Sequence, residues 1–446
     1  MAYTGDKLIL DRNDLLTIQA EGASFNTDPG AATQVTDVVA FESASFSDKK
    51  ETIVAETVRG SRSRNKKNDT LWSVEGEIEA IYRGGRDTGA DSSAALPGDD
   101  EVYPEGMENL LGSHFGVVGA EYAAAATHAV TPSTVTTLEL VVGDGSKFQR
   151  GDLVVWYDIT DATARARFVA GVATDTLTIW PALAAGDIPA VDTQLFGRAQ
   201  YRYAGTAVQH PSLFAKANQG FDGTNALIKM FGGLKANELT IDIPLSDFAK
   251  FRFGLQGVRT GTDPAYGAVA GGVTQPRNPN FGVLGLNNTF CYYSRNDGSV
   301  YGLCPLSLSV TSSFEVHRIT CLEDLNTARA LRLGMRDVTA QLDVVLDDPA
   351  LMKDFRDSDR ISIIHLAGRD SYFNHANWSP WGFNAFALGL PQCSIDDIND
   401  DEYEDTKKVT LTLSAEVPDF ETAQATNVTG WDQEMTFCCL GSANTS

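Results

Sequence analysis

No run of about eighteen apolar residues occurs in the chain, so no segment is expected to cross a membrane as a helix. The opening residues lack a basic stretch followed by an apolar one, and no secretory signal is expected. Cysteine is scarce. The six fall at positions 291, 304, 321, 393, 438 and 439, none at CxxC spacing, which argues against zinc and for buried free thiols. A GxSxG elbow, a phosphate-binding loop, an HExxH pair and a GxGxxG turn after a strand are all missing. The histidines are dispersed, and His365 and His375 lack the spacing of metal ligands, so structural or interfacial roles are expected of them. Enzymatic activity, a cofactor and a bound metal are not expected.

Positive charge is also in short supply: 35 Lys and Arg stand against 59 Asp and Glu, a net charge of -24. That balance argues against wrapping nucleic acid, which calls for a basic surface. It suits an acidic soluble protein, or a surface that DNA must pass without adhering. With 43% hydrophobic and 21% charged residues, the 446-residue chain has the composition of a folded protein of two or three domains.

What the sequence holds in abundance is alternation. Leu306, Leu308, Val310, Phe314 and Val316 share one parity, with Ser307, Ser309, Thr311 and Glu315 on the other. After a polar connection, Val338, Ala340, Leu342 and Val344 alternate with Thr339, Gln341 and Asp343. Period two over such lengths predicts half-buried antiparallel strands. Asp348-Pro349 then offers a helix start for residues 350–355, and residues 361–364 return to a strand. The same order recurs near the N-terminus. Trp72, Val74, Ile78, Ala80 and Tyr82 alternate with Ser73, Glu75, Glu77 and Glu79, ahead of a helix-like stretch at 106–115. The recurrence is either a duplicated structural unit or the commonplace sequence of strand then helix.

Elsewhere, residues 15–20, 35–46, 51–58, 238–245, 250–256 and 409–417 read as strands, the second and third as two strands or one bent one. Residues 120–200 read as a separate small β module of short strands with Gly and Asp turns. Residues 84–101 and 258–288 read as long surface loops, and 396–405 as an acidic turn.

Few residues invite a chemical reading. The carboxylates of 396–405 would suit calcium or a metal-assisted hydrolase, but the glycine of an EF-hand is missing and solvated acidic loops are common. Arg150-Gly151-Asp152 matches an adhesion tripeptide by chance, at the turn into a strand. Trp378, Trp381, Phe383 and Phe386 serve a core, a subunit interface or, in a carbohydrate- or receptor-binding protein, a platform for sugar rings. The basic loop of Arg59, Arg62, Arg64, Lys66 and Lys67 is a phosphate contact, a soluble hairpin tip, or an arm docking on an acidic neighbouring copy, the last fitting best with an acidic remainder.

Three stretches together resemble the tail tube (major tail) proteins of long-tailed bacteriophages. They are LTIQAEGASFNTDPG with the following VTDVVAFESASFSDKKETIVAETVRGSRSRNKKNDTLWSVEGEIEAIYR and EGMENLLGSHFG; GGLKANELTIDIPLSDFAKFRFGLQG; and LSVTSSFEVHRI through GMRDVTAQLDVVLDDPALMKDF to KKVTLTLSAEV. The resemblance implies a mainly β chain with short helices: an antiparallel β-sandwich tail-tube fold, single or duplicated, with a small inserted β domain. Its parts would be a tube-like half at 1–119, the insertion at 120–200 and a second half at 201–446. It also implies stacked rings enclosing a channel for DNA, made of three copies if both halves are complete and six if one is. In that arrangement Arg59, Arg62, Arg64, Lys66 and Lys67 reach the adjacent ring, while Glu75, Glu77, Glu79, Thr339, Gln341 and Asp343 line the lumen. The implied partners are further copies of the chain, a tape measure, a tail terminator and passing DNA, in a virion and without a membrane.

Overall fold

The computed structural model describes residues 14–22, 25–32, 37–54, 67–82, 107–116, 126–127, 133–158, 163–190, 193–195, 200–203, 210–259, 264–273, 290–295, 300–319, 330–345, 350–357, 360–368, 385–403, 406–418 and 433–440. Of the described residues 66% are strand and 8% helical, and the strand pairings are antiparallel. The fold is mainly β, as the alternation predicts.

In chain order, β1 (Leu15–Ala20), β2 (Val38–Val39), β3 (Ser43–Val54) and β4 (Lys67–Ile81) lead into helix α1 (Glu108–Phe115). The inserted module follows with β5 (Ala126–Thr127), β6 (Thr137–Glu139), β7 (Leu153–Asp158), β8 (Thr163–Ala173), β9 (Thr176–Trp180) and β10 (Gln194–Leu195). Then come β11 (Gln200–Arg202), β12 (Leu213–Gln219), β13 (Asn225–Pro244), β14 (Lys250–Arg259) and β15 (Ala265–Ala268). The rest is β16 (Phe290–Arg295), β17 (Val300–Gly302), β18 (Pro305–Ile319), β19 (Ala330–Val345), helix α2 (Ala350–Asp357), β20 (Ile361–Gly368), β21 (Ala385–Tyr403), β22 (Thr406–Ala415) and β23 (Thr436–Leu440).

The pairings fall into two units of the same design. In the first, β2 pairs β1, β1 pairs β12, and β12 pairs the opening part of β13, whose other side carries β15. The later part of β13 pairs β14, then β4, then β3. In the second unit β17, β16, β20, β21 and β23 repeat the first series, and β21, β22, β19 and β18 the second. The helix follows the equivalent strand in each, α1 after β4 and α2 after β19.

Three of the irregularities coincide, while the shifts at Gly232/Lys235 and Pro305/Ser307 have no counterpart among the described residues. The bulge at Lys50/Thr52 opposite Trp72 and Asp69 returns at Phe314/Val316 opposite Arg336 and Leu333. Those at Leu213/Ala215 and Ala236/Glu238 return at Ile361/Ile363 and Ile395/Asp397. A bulge bends a strand at one place and re-aims everything beyond it, so matched bulges mean matched curvature. The recurrence in the sequence is thus a duplicated unit.

This division differs from the boundary expected at residue 200. Strands β12 to β15 complete the first unit rather than opening the second. The expected loop at 258–288 is also interrupted, because β15 pairs with Asn225 to Ile228 of β13. The acidic turn expected at 396–405 is, through residue 403, the second half of β21. Alternation sends Asp397 and Asp401 to one face and Asp400 to the other, so the carboxylates do not converge. Residues 84–101 lie outside the described residues.

The apolar parity of both units meets in one continuous core, including Val74, Ile78, Phe251, Phe253, Leu239, Ile241, Val310, Leu342 and Leu411. Tyr82, Phe251, Phe386 and Phe437 cluster within it at ring separations of 4.9 to 6.2 Å. Phe386 is therefore core, while Trp378, Trp381 and Phe383 lie outside the described residues. Cys291, Cys393, Cys438 and Cys439 are buried free thiols and Cys304 is exposed; Cys321 lies outside the described residues.

The inserted module forms its own four-stranded sheet, β6-β9-β8-β7, around Leu138, Val154, Trp156, Val169 and Leu177. It leans on the second unit. Thr436 Oγ1 donates to the Gly151 carbonyl at 2.7 Å, and the ring of Phe168 packs over the bare backbone of Gly389. Asp152 is buried and its carboxylate accepts the Gln149 N–H at 2.7 Å, so the adhesion-like tripeptide serves the turn.

A Cβ built on Gly389 would stand 2.4 Å from the Phe168 ring. Gly389→Ala is expected to lower the stability of the docked module by about 1–3 kcal/mol in denaturant unfolding. An unchanged midpoint would mean the contact is not tight.

Candidate functional site: a polar sheet face and its two outer edges

Eight strands form one uninterrupted ladder in the order β3-β4-β14-β13-β18-β19-β22-β21. The four of the first unit meet the four of the second at a single seam, β13 on β18, running from Glu238 opposite Ser313 to Pro244 opposite Ser307 without a register shift. One face of this ladder is the core. Directly opposed residues share a face, so the register reads out the other face as well.

That second face is polar across all eight strands, with Ile81 and Val345 as apolar positions at one rim. Ser43, Ser45, Ser47 and Lys49 of β3 oppose Glu79, Glu77, Glu75 and Ser73 of β4. Lys250, Arg252 and Gln256 follow on β14, then Glu238, Thr240 and Asp242 on β13. Ser307, Ser309, Thr311 and Ser313 of β18 lead to Asp343, Gln341, Thr339 and Asp337 of β19. Lys408, Thr410, Thr412 and Ser414 of β22 and Asp397, Asn399 and Asp401 of β21 complete it. Glu75, Glu77, Glu79 and Thr339, Gln341, Asp343 thus share this one face at equivalent positions of the two units, Glu79 matching Asp343. The side chains of Arg59, Arg62, Arg64, Lys66 and Lys67 lie outside the described residues; Lys67 opens β4, opposite Val54.

The glutamate row is not a bare acidic strip. Lys49 pairs with Glu75, and Lys250 reaches Glu79 at 3.4 Å and Glu42 at 2.9 Å. Arg252 stands 3.5 Å from Glu77, 3.4 Å from Glu79 and 3.7 Å from Asp242. The hydrogen bond to Glu42 is the main reason the Lys250 pKa is raised. At Asp343 burial alone would raise the pKa, but hydrogen bonds from Lys408, Thr410 and Ser307 outweigh it and leave it lowered. Exposed pairs of this kind are worth little singly. Their effect is to fix side-chain positions and soften the field, while acids still outnumber bases on the face. Alternation revealed the face; the long-range pairing of Arg252 and Lys250 with β4 carries no local signal.

The seam is locked by a buried polar chain. His114 Nδ1 lies 3.1 Å from the Ala236 carbonyl, which can only accept, so Nδ1 carries the proton. Nε2, 2.9 Å from Ser312 Oγ, then accepts from that hydroxyl, which in turn accepts from Tyr203. The Arg336 guanidinium lies 3.9 Å above the Tyr203 ring and pairs with Glu434. Helix α1 of the first unit is thereby tied to β18 of the second. The tautomer requires a neutral imidazole, and burial lowers the His114 pKa to about 3.

At the two ends of the ladder the situation is different. Among the described residues, β3 pairs only with β4, and the 394–403 part of β21 pairs only with β22. A cavity of about 70 Å³ beside β3, lined by Leu16, Phe41, Ala44 and Phe46, is well below the roughly 300–1,000 Å³ of a small-molecule site. Among the described residues no group of three or more His, Cys, Asp or Glu is placed to hold a metal ion. No family model matches the chain, and no curated protein matches it in sequence.

His365 is buried, neither ring nitrogen has a hydrogen-bond partner among the described residues, and burial lowers its pKa to about 3. An unfolded histidine takes a proton below about pH 6.5, whereas these two do not, so stability falls as pH drops from there. Each is expected to cost about 2 kcal/mol at pH 5 relative to pH 7.5. His365→Leu is expected to recover its share in denaturant melts at the two pH values. A variant losing stability as steeply as the parent would contradict this.

Proposed function

We propose that this chain is a structural subunit that assembles, copy on copy, into the hollow stacked rings of a phage tail tube through which DNA leaves the virion. The observation that carries the reading is the eight-stranded ladder, with one polar face and, among the described residues, no strand paired on the outer side of either end. Closed on itself, a barrel of eight strands has an interior filled by side chains. It would bury Glu77, whose side chain is 60% exposed, together with the rest of the charged face. Closure with other copies leaves that face lining water instead.

Because each chain supplies two equivalent units, three copies give a pseudo-sixfold ring. At about 4.8 Å between strands, some 24 strands make a circumference of about 115 Å and a backbone diameter of about 37 Å before tilt widens it. That is a wider bore than the aqueous channel of a 16- to 18-stranded porin. The antiparallel layers around the shared core are in this reading the two sheets of a tail-tube sandwich. Residues 59–67 would be the arm to the next ring. A tape measure would occupy the lumen during assembly, and a tail terminator would cap the tube. The protein would be non-enzymatic. The rival reading, a carbohydrate-binding virion protein, loses one of its aromatic platform residues to the core at Phe386.

Purified protein examined by negative-stain microscopy and mass measurement is expected to form hollow rings of three copies, or tubes stacked from them. A monomer at every concentration would sink the proposal. The ion pairs add a second expectation. Glu75→Gln, Glu77→Gln and Glu79→Gln together remove the β4 partners of Lys49, Lys250 and Arg252, leaving Glu42 beside Lys250 and Asp242 beside Arg252, so variant tubes should retain more duplex DNA at low salt than parent tubes. Equal retention would mean the face does not meet DNA.

A further inference from the structure

The seam inside the chain is a template for a seam between chains. We propose that the outer edge of β3, which carries no strand among the described residues, pairs with the equally open outer edge of β21 in a second copy, in the register that β18 and β13 adopt within one copy. The proposal rests on the ring reading above and adds to it the contact and its register.

The derivation uses the repeated bulges as fixed points. In the first unit the bulge at Ala236/Glu238 lies opposite Leu255 and Gly254; in the second, Ile395/Asp397 lies opposite Leu413 and Thr412. Glu238, Thr240 and Asp242 therefore match Asp397, Asn399 and Asp401. The bulges at Lys50/Thr52 and Phe314/Val316 likewise match Ser45, Ser47 and Lys49 to Ser309, Thr311 and Ser313. Within the chain, Glu238 opposes Ser313, Thr240 opposes Thr311 and Asp242 opposes Ser309. Transposed, Asp397 of one copy opposes Lys49 of the next, Asn399 opposes Ser47, and Asp401 opposes Ser45.

Two independent observations favour a second copy as the occupant. The first is charge: the transposed register sets a carboxylate against an ammonium at Asp397 and Lys49, both exposed in the single chain. Opposite charges directly across a ladder attract, and fix register more than they add affinity. The second is burial. Val310 and Leu239 are fully buried at the inner seam, while their counterparts Phe46 and Ile398 remain partly exposed at the open edges. The remaining positions are less apolar, with Asp48 where the inner seam has Ser312 and Asp400 where it has Ile241. Charges on an edge strand discourage indiscriminate pairing. The outer seam is accordingly weaker than the inner one, as suits an interface that must form after folding.

Paired cysteines test it. The Thr240 and Thr311 hydroxyls lie 3.2 Å apart, so Thr240→Cys with Thr311→Cys should close within one chain and calibrates the geometry. Ser47→Cys with Asn399→Cys should link chains under mild oxidation into a covalent series ending at three copies. Ser45→Cys with Asn399→Cys, out of register by two residues, should not. Asp397→Lys should weaken assembly about fivefold, with recovery when Lys49→Asp is added. Cross-linking of the offset pair, or intact rings with neither pair linked, would overturn the register and leave the ring reading standing. Parent protein that forms no assembly would overturn the ring reading itself.

Discussion

A strand at the end of a sheet presents a row of N–H and carbonyl groups that must find either water or another strand. In this protein the constraint recurs at regular intervals, because a duplicated unit presents the same edges twice. The inner pair of edges is satisfied within the chain, by β13 on β18; the outer pair carries no strand among the described residues. A single subunit cannot join its own ends without closing a barrel too narrow to keep its charged face wet. Most of the architecture follows from that frustration. Matched bulges give both halves the same curvature, the polar parity lies on one face, and the apolar parity forms one core beneath it.

The inner seam shows what a finished junction requires. Its ladder is continuous, its apolar pairs are buried, and a chain of hydrogen bonds from Tyr203 through Ser312 to His114 and the Ala236 carbonyl satisfies the polar groups buried there. Burial keeps that imidazole neutral, so the hydrogen-bond chain at the inner seam rests on a histidine that does not titrate near neutral pH. The outer edges carry serines, Lys49 and Asp397 in the same places. They can remain in water until a partner arrives.

Much of this was legible in the sequence. The alternation at 306–316 and 338–344 placed β18 and β19, and the Asp348-Pro349 start placed α2, because period and capping are local signals. The same parity put Glu75, Glu77 and Glu79 on one side of their strand and Thr339, Gln341 and Asp343 on one side of theirs; the strand pairings bring the two sides onto one face. Pairing partners were not legible. Nothing near Leu213 to Gln219 announces that β12 bridges β1 and β13, so the first unit seemed to end before the insertion. Acidic composition disguised the second half of β21 as a turn, since Asp is a poor strand former by propensity and the ladder with β22 overrode it. The ion pairs that soften the glutamate row were hidden for the same reason: Arg252 and Glu79 are neighbours only after β14 has returned to β4.

The central claim is that the outer edges become what the inner seam already is, and amide hydrogen exchange reports on it directly. In dilute protein, amides of residues 43–49 and 397–403 on the open sides should exchange fast, while those of 307–313 at the inner seam are protected. On assembly the first two segments should gain protection together and the third should not change. Exchange at 43–49 and 397–403 that stays the same in assembled and dilute protein would contradict the account.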